Sequence, residues 1–112
     1  MEELTVESAE RDGWTVLSLK GDLDVYTAPR LKEAIAESVD RGGKLVAVDL
    51  SEVRFLDSTG LAVIVGGMKR VKENDGSLVL VAPNDQIRRI LTITDLIKIL
   101  QVRDSIESVV SG

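Results

Sequence analysis

The order of hydrophobic and polar residues at the start of the chain predicts a β-hairpin. Residues 4–10 alternate between apolar and polar side chains, and this period of two is typical of a half-buried strand. Residues 14–20 form a second strand-like segment, which the pattern ends at residues 21–22. Asp12 and Gly13 separate the two segments, and an Asp-Gly pair is a strong signal for a tight hairpin turn.

The rest of the chain predicts helices that alternate with strands. The first helix has Leu31, Ile35 and Val39 at four-residue spacing, with Thr27 as its N-cap. Two later strands are almost continuously apolar, which is typical of strands buried on both faces. The predicted helices span 27–41, 58–74, 85–92 and 105–110, and the predicted strands span 44–50, 77–82 and 99–102. Residues 51–56 are predicted to be a loop.

This order of elements predicts an α/β fold. Strand–helix–strand units give parallel strands joined by right-handed crossovers. We therefore expect a mixed, mostly parallel sheet of four to five strands, with an N-terminal β-hairpin and four helices. The 112 residues are enough for one domain, spanning 1–112, and too few for two.

Composition narrows the possible functions. The net charge of −5 disfavours nucleic acids and anionic membranes as partners, because both are bound mainly by Lys and Arg. The chain has no cysteine, which excludes disulfides and thiolate catalysis. It also has no histidine, the commonest general base near neutral pH. No apolar run approaches the ~20 residues of a membrane helix, and no signal peptide is evident at the N-terminus. We expect a cytoplasmic protein.

A polar cluster opens the second predicted helix, at Asp57, Ser58, Thr59 and Gly60. A helix N-terminus presents free N–H groups and the positive end of the helix dipole, so a phosphate is well placed there. Two other interpretations stay open. Asp57 or Ser58 could simply cap the helix. Ser58 could instead be a hydrolase nucleophile, although no histidine or nearby lysine is present to act as its base.

The second helix also carries a stripe of small residues. Ala62, Gly66 and Lys69 follow Ser58 at intervals of three or four residues, so all four lie on one side of the helix. Val63, Gly67 and Arg70 lie beside them. The stripe is either a face on which a partner docks or a place where the helix packs closely against its own domain.

Acidic residues follow several predicted strands. Asp22, Asp24, Asp49 and Asp57 could cluster at the strand ends, either as a Mg²⁺ site or as solvated acids. The chain contains neither a G-x-x-x-x-G-K-[ST] motif nor a G-x-G-x-x-G motif, so no dedicated nucleotide site is indicated.

Two motifs resemble those of a known family. Residues 55–61 (FLDSTGL), after 48–51 (VDLS), resemble the phosphorylation segment of the bacterial anti-sigma factor antagonists, the STAS-domain family. Residues 21–28 (GDLDVYTA) resemble the family's G-E-L-D-x-x-T-A motif, with Asp22 in place of the commoner Glu. The resemblance covers nearly the whole chain.

The resemblance implies a partner-switching function. The unphosphorylated protein would bind an anti-sigma factor, which is also a serine kinase, and so release the sigma factor. The kinase would phosphorylate Ser58, with Thr59 as the weaker candidate, and this would end the complex. A serine phosphatase would restore it. Asp24 matches the acidic residue that the family has near its phosphorylation site.

This interpretation defines a set of candidate site residues. The protein would be a substrate and a binding partner, not an enzyme, with no cofactor, and either a monomer or a weak dimer. The alternative is a nucleotide- or small-ligand-binding sensor module of a signalling complex. The candidate partner-binding residues are Asp24, Tyr26, Asp57, Ser58, Thr59, Gly60, Ala62, Val63, Gly66, Lys69 and Arg70.

Overall fold

A computed structural model describes residues 3–111 and contains, within that range, five strands and four α-helices in the predicted order. The strands are β1 (Thr5–Arg11), β2 (Trp14–Leu23), β3 (Leu45–Leu56), β4 (Ser77–Val81) and β5 (Gln101–Arg103). The helices are α1 (Ala28–Asp40), α2 (Ser58–Glu73), α3 (Asp85–Ile93) and α4 (Ile106–Val110), and a 3-10 turn spans Leu96–Lys98.

The five strands form one sheet in the order β1-β2-β3-β4-β5. β1 pairs with β2 in antiparallel fashion, and every other neighbouring pair is parallel. This confirms the predicted α/β fold with its mixed, mostly parallel sheet. The predicted hairpin is also confirmed, since Asp12 (φ 51°) and Gly13 (φ 86°) form its two-residue turn.

β2 and β3 are longer than the sequence predicted. β2 continues to Leu23, so the predicted end of this strand at residues 21–22 was wrong. β3 continues to Leu56, so the predicted loop over 51–56 was also wrong. The two extensions pair with each other up to Leu23 opposite Leu56, with shifts in register along the way. These shifts break the alternation of apolar and polar residues, which is why the pattern looked like a loop.

The core lies mainly on one face of the sheet, beneath α1, α2 and α3. Its helical members are fully or almost fully buried: Leu31, Ile35, Leu61, Ile64, Val71, Ile87 and Leu91. α4 covers part of the opposite face, where Val109 packs against Val16 and Val79. Trp14 is half-buried against this second cluster. Within residues 3–111, no helix is long and apolar enough to cross a membrane.

Candidate functional site

The site is built around the first turn of α2, which begins directly after β3 ends. Asp57 is the N-cap, and its Oδ1 accepts a hydrogen bond from the Gly60 N–H at 2.9 Å. Ser58 is therefore the first residue of the helix, and its side chain is exposed. Because the Asp57 carboxylate supplies the cap, the capping interpretation applies to Asp57 and leaves the Ser58 hydroxyl available for another role.

The same Asp57 carboxylate connects α2 to the loop between β2 and α1. Its Oδ2 accepts a hydrogen bond from the Val25 N–H at 3.1 Å. The Asp57 N–H donates in turn to the Leu23 carbonyl at 3.2 Å. The start of α2 and the 24–27 loop are thus held side by side, as the parallel pairing of β2 with β3 allows.

The 24–27 loop is ordered by its own side chains. Asp24 Oδ1 accepts hydrogen bonds from the Tyr26 N–H (2.9 Å) and the Thr27 N–H (3.1 Å). Thr27 occupies the N-cap position of α1, but its side chain makes no capping bond, contrary to the sequence prediction. The Thr27 hydroxyl instead donates to the Asp22 carbonyl (2.7 Å) and accepts from the Asp24 N–H (2.9 Å).

Two hydrophobic side chains project from this loop into solvent. Tyr26 is 74% exposed and Val25 is 53% exposed. Because the Val25 N–H is bonded to the cap of α2, both residues lie at the same end of the molecule as Ser58. The structure therefore brings Asp24, Tyr26, Asp57 and Ser58 together, as the two sequence motifs suggested.

Gly60 lies beneath this surface. A Cβ at Gly60 would lie 2.8 Å from the Leu23 carbonyl oxygen and 2.8 Å from Leu56 Cδ1. These distances are shorter than van der Waals contact, so only glycine lets α2 approach the ends of β2 and β3 this closely. Gly60 is buried, and it shapes the site from below without presenting an atom to a partner.

The predicted stripe along α2 is exposed. Ala62, Gly66 and Lys69 all face solvent, while Thr59 and Val63 are half-buried beside them. A Cβ at Gly66 would meet no atom within 4 Å. The domain itself therefore does not require glycine at this position, and Gly66 leaves open space on the surface.

Gly67, next to this stripe, has a different role. A Cβ there would lie 2.5 Å from Ile35 Cδ1, so Gly67 is the point at which α2 packs closely on α1. The close-packing interpretation of the two glycines is thus correct for Gly67 and not for Gly66. Arg70 lies further along α2 and pairs with Asp40 of α1 at 3.8 Å. Both side chains are solvent-exposed, so the pair is weak and a partner could replace it.

A groove of about 330 Å³ runs between α1 and α2, beside the stripe. Its walls combine apolar and charged side chains: Lys32, Ile35, Ala62, Val63, Gly66, Gly67, Arg70 and Glu73. The floor at Gly66 and Gly67 has no side chains, so a partner's backbone or side chain could approach α2 closely there.

The acidic residues do not form a metal site. Within residues 3–111, no three carboxylates lie close enough together to hold a metal ion. Asp49 is engaged locally, accepting hydrogen bonds from the Ser51 N–H (2.9 Å) and hydroxyl (2.7 Å). The sequential strand order also lacks the reversal at which open α/β sheets form a ligand crevice.

A model of the STAS domain matches residues 5–109 of the chain. The chain belongs to the STAS-domain family. This confirms the family that the motifs at 21–28 and 55–61 indicated.

Relatives of this STAS domain include regulators of sigma factors. An anti-sigma-B factor antagonist of Listeria monocytogenes is 35% identical over 102 residues, covering 90% of each chain. The crystal structure of an anti-sigma factor antagonist from Mycobacterium paratuberculosis is 28% identical, with a TM-score of 0.83 over 97% of this chain and 92% of that one. SpoIIAA of Bacillus, solved in its phosphorylated form, shares the fold at 18% identity, with a TM-score of 0.69 over 93% and 96% of the two chains.

Sequence reasoning missed one feature of this site, the hydrogen bond between Asp57 and Val25. The Asp at position 57 was a visible cap signal, because Asp is a preferred N-cap residue. Its second contact depends on the parallel pairing of β2 with β3 up to Leu23 and Leu56, which the pattern did not predict.

Proposed function

We propose that this STAS domain is an anti-sigma factor antagonist that is switched by phosphorylation of Ser58. The observation that carries the proposal is the exposed Ser58 side chain at the first position of α2, with the cap supplied by Asp57. The names of the relatives support the same function, as does the existence of a phosphorylated form of SpoIIAA on this fold.

In the proposed cycle, the unphosphorylated domain binds an anti-sigma factor that is also a serine kinase. This frees the sigma factor to direct RNA polymerase, which places the complex in the cytoplasm. The kinase then transfers phosphate from ATP to Ser58, and the complex dissociates. A serine phosphatase returns the domain to its binding form. The domain acts as substrate and partner, and the chemistry belongs to the two enzymes.

The fold should tolerate a phosphate on Ser58. At the first position of α2, the group lies beside free helix N–H groups and the positive end of the dipole, which favour an anion by about 1 kcal/mol. The phosphorylated domain is therefore expected to remain folded, and the consequence of phosphorylation falls on the partner.

Binding should weaken because phosphate adds negative charge to an acidic surface. It contributes about −1.5 to −2 charges beside Asp57 and Asp24. A dianion about 6 Å from one fixed carboxylate of a partner, at an effective dielectric of about 40, is repelled by about 3 kcal/mol. That loss weakens binding by about a hundredfold, which is enough for a switch.

The docking face is the exposed stripe formed by Ser58, Ala62, Gly66 and Lys69, together with Tyr26 beside the Ser58 end of the stripe. The small residues let a partner helix or loop approach α2 closely. Lys69 and Arg70 would pair with acidic side chains of the partner, Arg70 by exchanging its contact with Asp40.

The first test identifies the modified hydroxyl. The domain is incubated with candidate anti-sigma factor kinases and ATP, and the phosphate is located by mass spectrometry. We expect phosphate on Ser58 in the wild type and in Thr59→Ala, and none in Ser58→Ala. Phosphorylation of Ser58→Ala at Thr59 to the same extent would contradict the assignment.

The second test measures binding to that kinase by titration calorimetry. We expect Ser58→Ala to bind as the unphosphorylated domain does and Ser58→Asp to bind much more weakly. Equal affinities would refute the switch.

The third test concerns the docking face. Gly66→Leu should fold, since a Cβ meets nothing within 4 Å, and should bind at least about tenfold more weakly because its side chain fills the groove. Gln86→Leu, on the exposed surface of α3, is the matched control and should bind normally. A folded Gly66→Leu variant with wild-type affinity would eliminate this face as the docking surface.

A further inference from the structure

The outer edge of β1 is an unpaired strand edge in the described part of the chain. β1 is at the end of the strand order and pairs only with β2. Its seven residues keep an uninterrupted register with β2, from Arg11 opposite Trp14 to Thr5 opposite Lys20. All of them are exposed except Val6, which is half-buried.

Natural proteins protect such edges, and β1 has only one of the usual protections. Three of its seven side chains are charged, at Glu7, Glu10 and Arg11, but the strand contains no proline, no lysine and no bulge, which are the other common devices against pairing with another chain. An exposed edge of this length is a template for one more strand.

The turn geometry determines which backbone groups point outward. In a type I′ turn, the carbonyl of the first residue bonds to the N–H of the fourth, so the backbone groups of Arg11 point toward β2. Because this orientation alternates along an antiparallel strand, Ala9 and Glu7 also point toward β2. The N–H and C=O groups of Val6, Ser8 and Glu10 therefore point away from the sheet.

The side chains of β1 are complementary to a second copy of the same strand. Two β1 strands paired antiparallel about Ala9 would place Glu7 of each chain opposite Arg11 of the other. The Ala9 pair at the centre is small, which suits the close approach of strands at a pair that makes no hydrogen bonds to each other. One strand thus provides two symmetric ion pairs and a suitable centre, as a two-fold interface requires.

We infer that two copies of this domain associate through their β1 edges, centred on Ala9, and join their sheets into one. The interface is small and polar, so the dimer should be weak. Arg11 already contacts Glu107 of its own chain at 3.3 Å, and this exposed pair would share Arg11 with the partner's Glu7. The inference does not depend on the phosphorylation switch, because β1 lies at the edge of the sheet and α2 packs over its centre.

The test measures self-association of the full 112-residue chain by sedimentation equilibrium, from about 10 μM to about 1 mM. We expect the mass to rise with concentration from 12.2 kDa toward twice that value. If the mass stays that of the monomer over the whole concentration range, the inference is wrong. A strand of a different protein would then be the candidate partner of the β1 edge.

Charge variants test the register. They are made in a Glu107→Gln background, so that Glu107 does not compete for Arg11. Glu7→Arg should raise the dissociation constant of the dimer by about tenfold, because it turns two attractive cross-strand ion pairs into repulsive ones. Adding Arg11→Glu should restore the dimer. Glu33→Arg, on exposed α1, makes the same charge change and should have little effect. A dissociation constant that does not change with Glu7→Arg would contradict this register.

Backbone variants and hydrogen exchange test the edge itself. Ser8→Pro removes an outward N–H, so it should abolish the dimer while circular dichroism still reports a folded domain. In this register Ser8 of each chain lies opposite Glu10 of the other, so the amide exchange of Ser8 and Glu10 should slow as the concentration rises. A dimer that persists in folded Ser8→Pro, without slower exchange at these amides, would show a different interface.

Discussion

The packing of Gly60 against the ends of β2 and β3 leads to a sharp prediction about stability. Gly60→Ala should destabilise the domain, because the new methyl group would lie 2.8 Å from the Leu23 carbonyl oxygen and 2.9 Å from Leu23 Cγ. A backbone carbonyl cannot rotate away as the end of a side chain can. Relief requires α2 to shift away from the sheet, and overpacking of this kind costs about 1–3 kcal/mol.

Gly66→Ala is the matched variant in the same helix. Its methyl group would meet nothing within 4 Å, so the only change is the helix propensity, which favours alanine over glycine by about 1 kcal/mol. The two variants make the same chemical change with opposite signs of effect. Their free energies of unfolding should differ by about 2–4 kcal/mol.

Urea unfolding measures this difference. With a denaturant slope of about 2 kcal/mol per molar, the unfolding midpoints of the two variants should be about 1–2 M apart. Circular dichroism follows the helices, and Trp14, the only tryptophan, follows the sheet. Coincident transitions by both probes would justify a two-state treatment. If the free energy of unfolding of Gly60→Ala lies within about 0.5 kcal/mol of that of Gly66→Ala, the close approach of α2 to Leu23 does not constrain residue 60.

Three further predictions concern the surroundings of the site and α4. Thr27→Val keeps the side chain's shape but leaves the Asp24 N–H and the Asp22 carbonyl without the hydroxyl, so the free energy of unfolding in urea should fall by about 1–3 kcal/mol. Asp57→Ala should lower the free energy of unfolding by about 1–2 kcal/mol and should speed amide exchange in the 24–27 loop. If stability falls but amide exchange in the loop is unchanged, Asp57 only caps α2. The pKa of the Glu107 carboxyl is lowered by a hydrogen bond from its own backbone N–H and next by one from Arg11, so Arg11→Ala should raise it in an NMR titration. Because this pKa is lower in the folded state, the stabilisation is present above the unfolded pKa and disappears as the pH falls through the folded value.

Much of the fold could be predicted from local patterns. The Asp12-Gly13 turn was visible because a type I′ turn needs two residues with positive φ, and this pair adopts them readily. The helices were visible because residues such as Leu31 and Ile35 repeat at the helical period and fill the core. The family was visible because two motifs stand at the correct separation in one short chain.

The extension of β2 and β3 could not be predicted locally. The segment 51–56 has no regular alternation, because its register against β2 shifts twice. Its strand conformation is stabilised by hydrogen bonds to a neighbour about thirty residues away in sequence, and a local pattern does not contain that partner.

The residue types and their order were enough to identify the chemical groups of this protein: a serine at a predicted helix start, an acidic residue beside it, and no histidine or cysteine anywhere in the chain. The arrangement of these groups in space became clear from the folded chain. It showed that Asp57 caps α2 and also holds Val25, that Gly60 and Gly67 are packing positions while Gly66 is open surface, and that β1 is an edge strand of the sheet. The physical reason is that side-chain type follows from the residue alone, whereas burial and close approach depend on what distant segments place beside it.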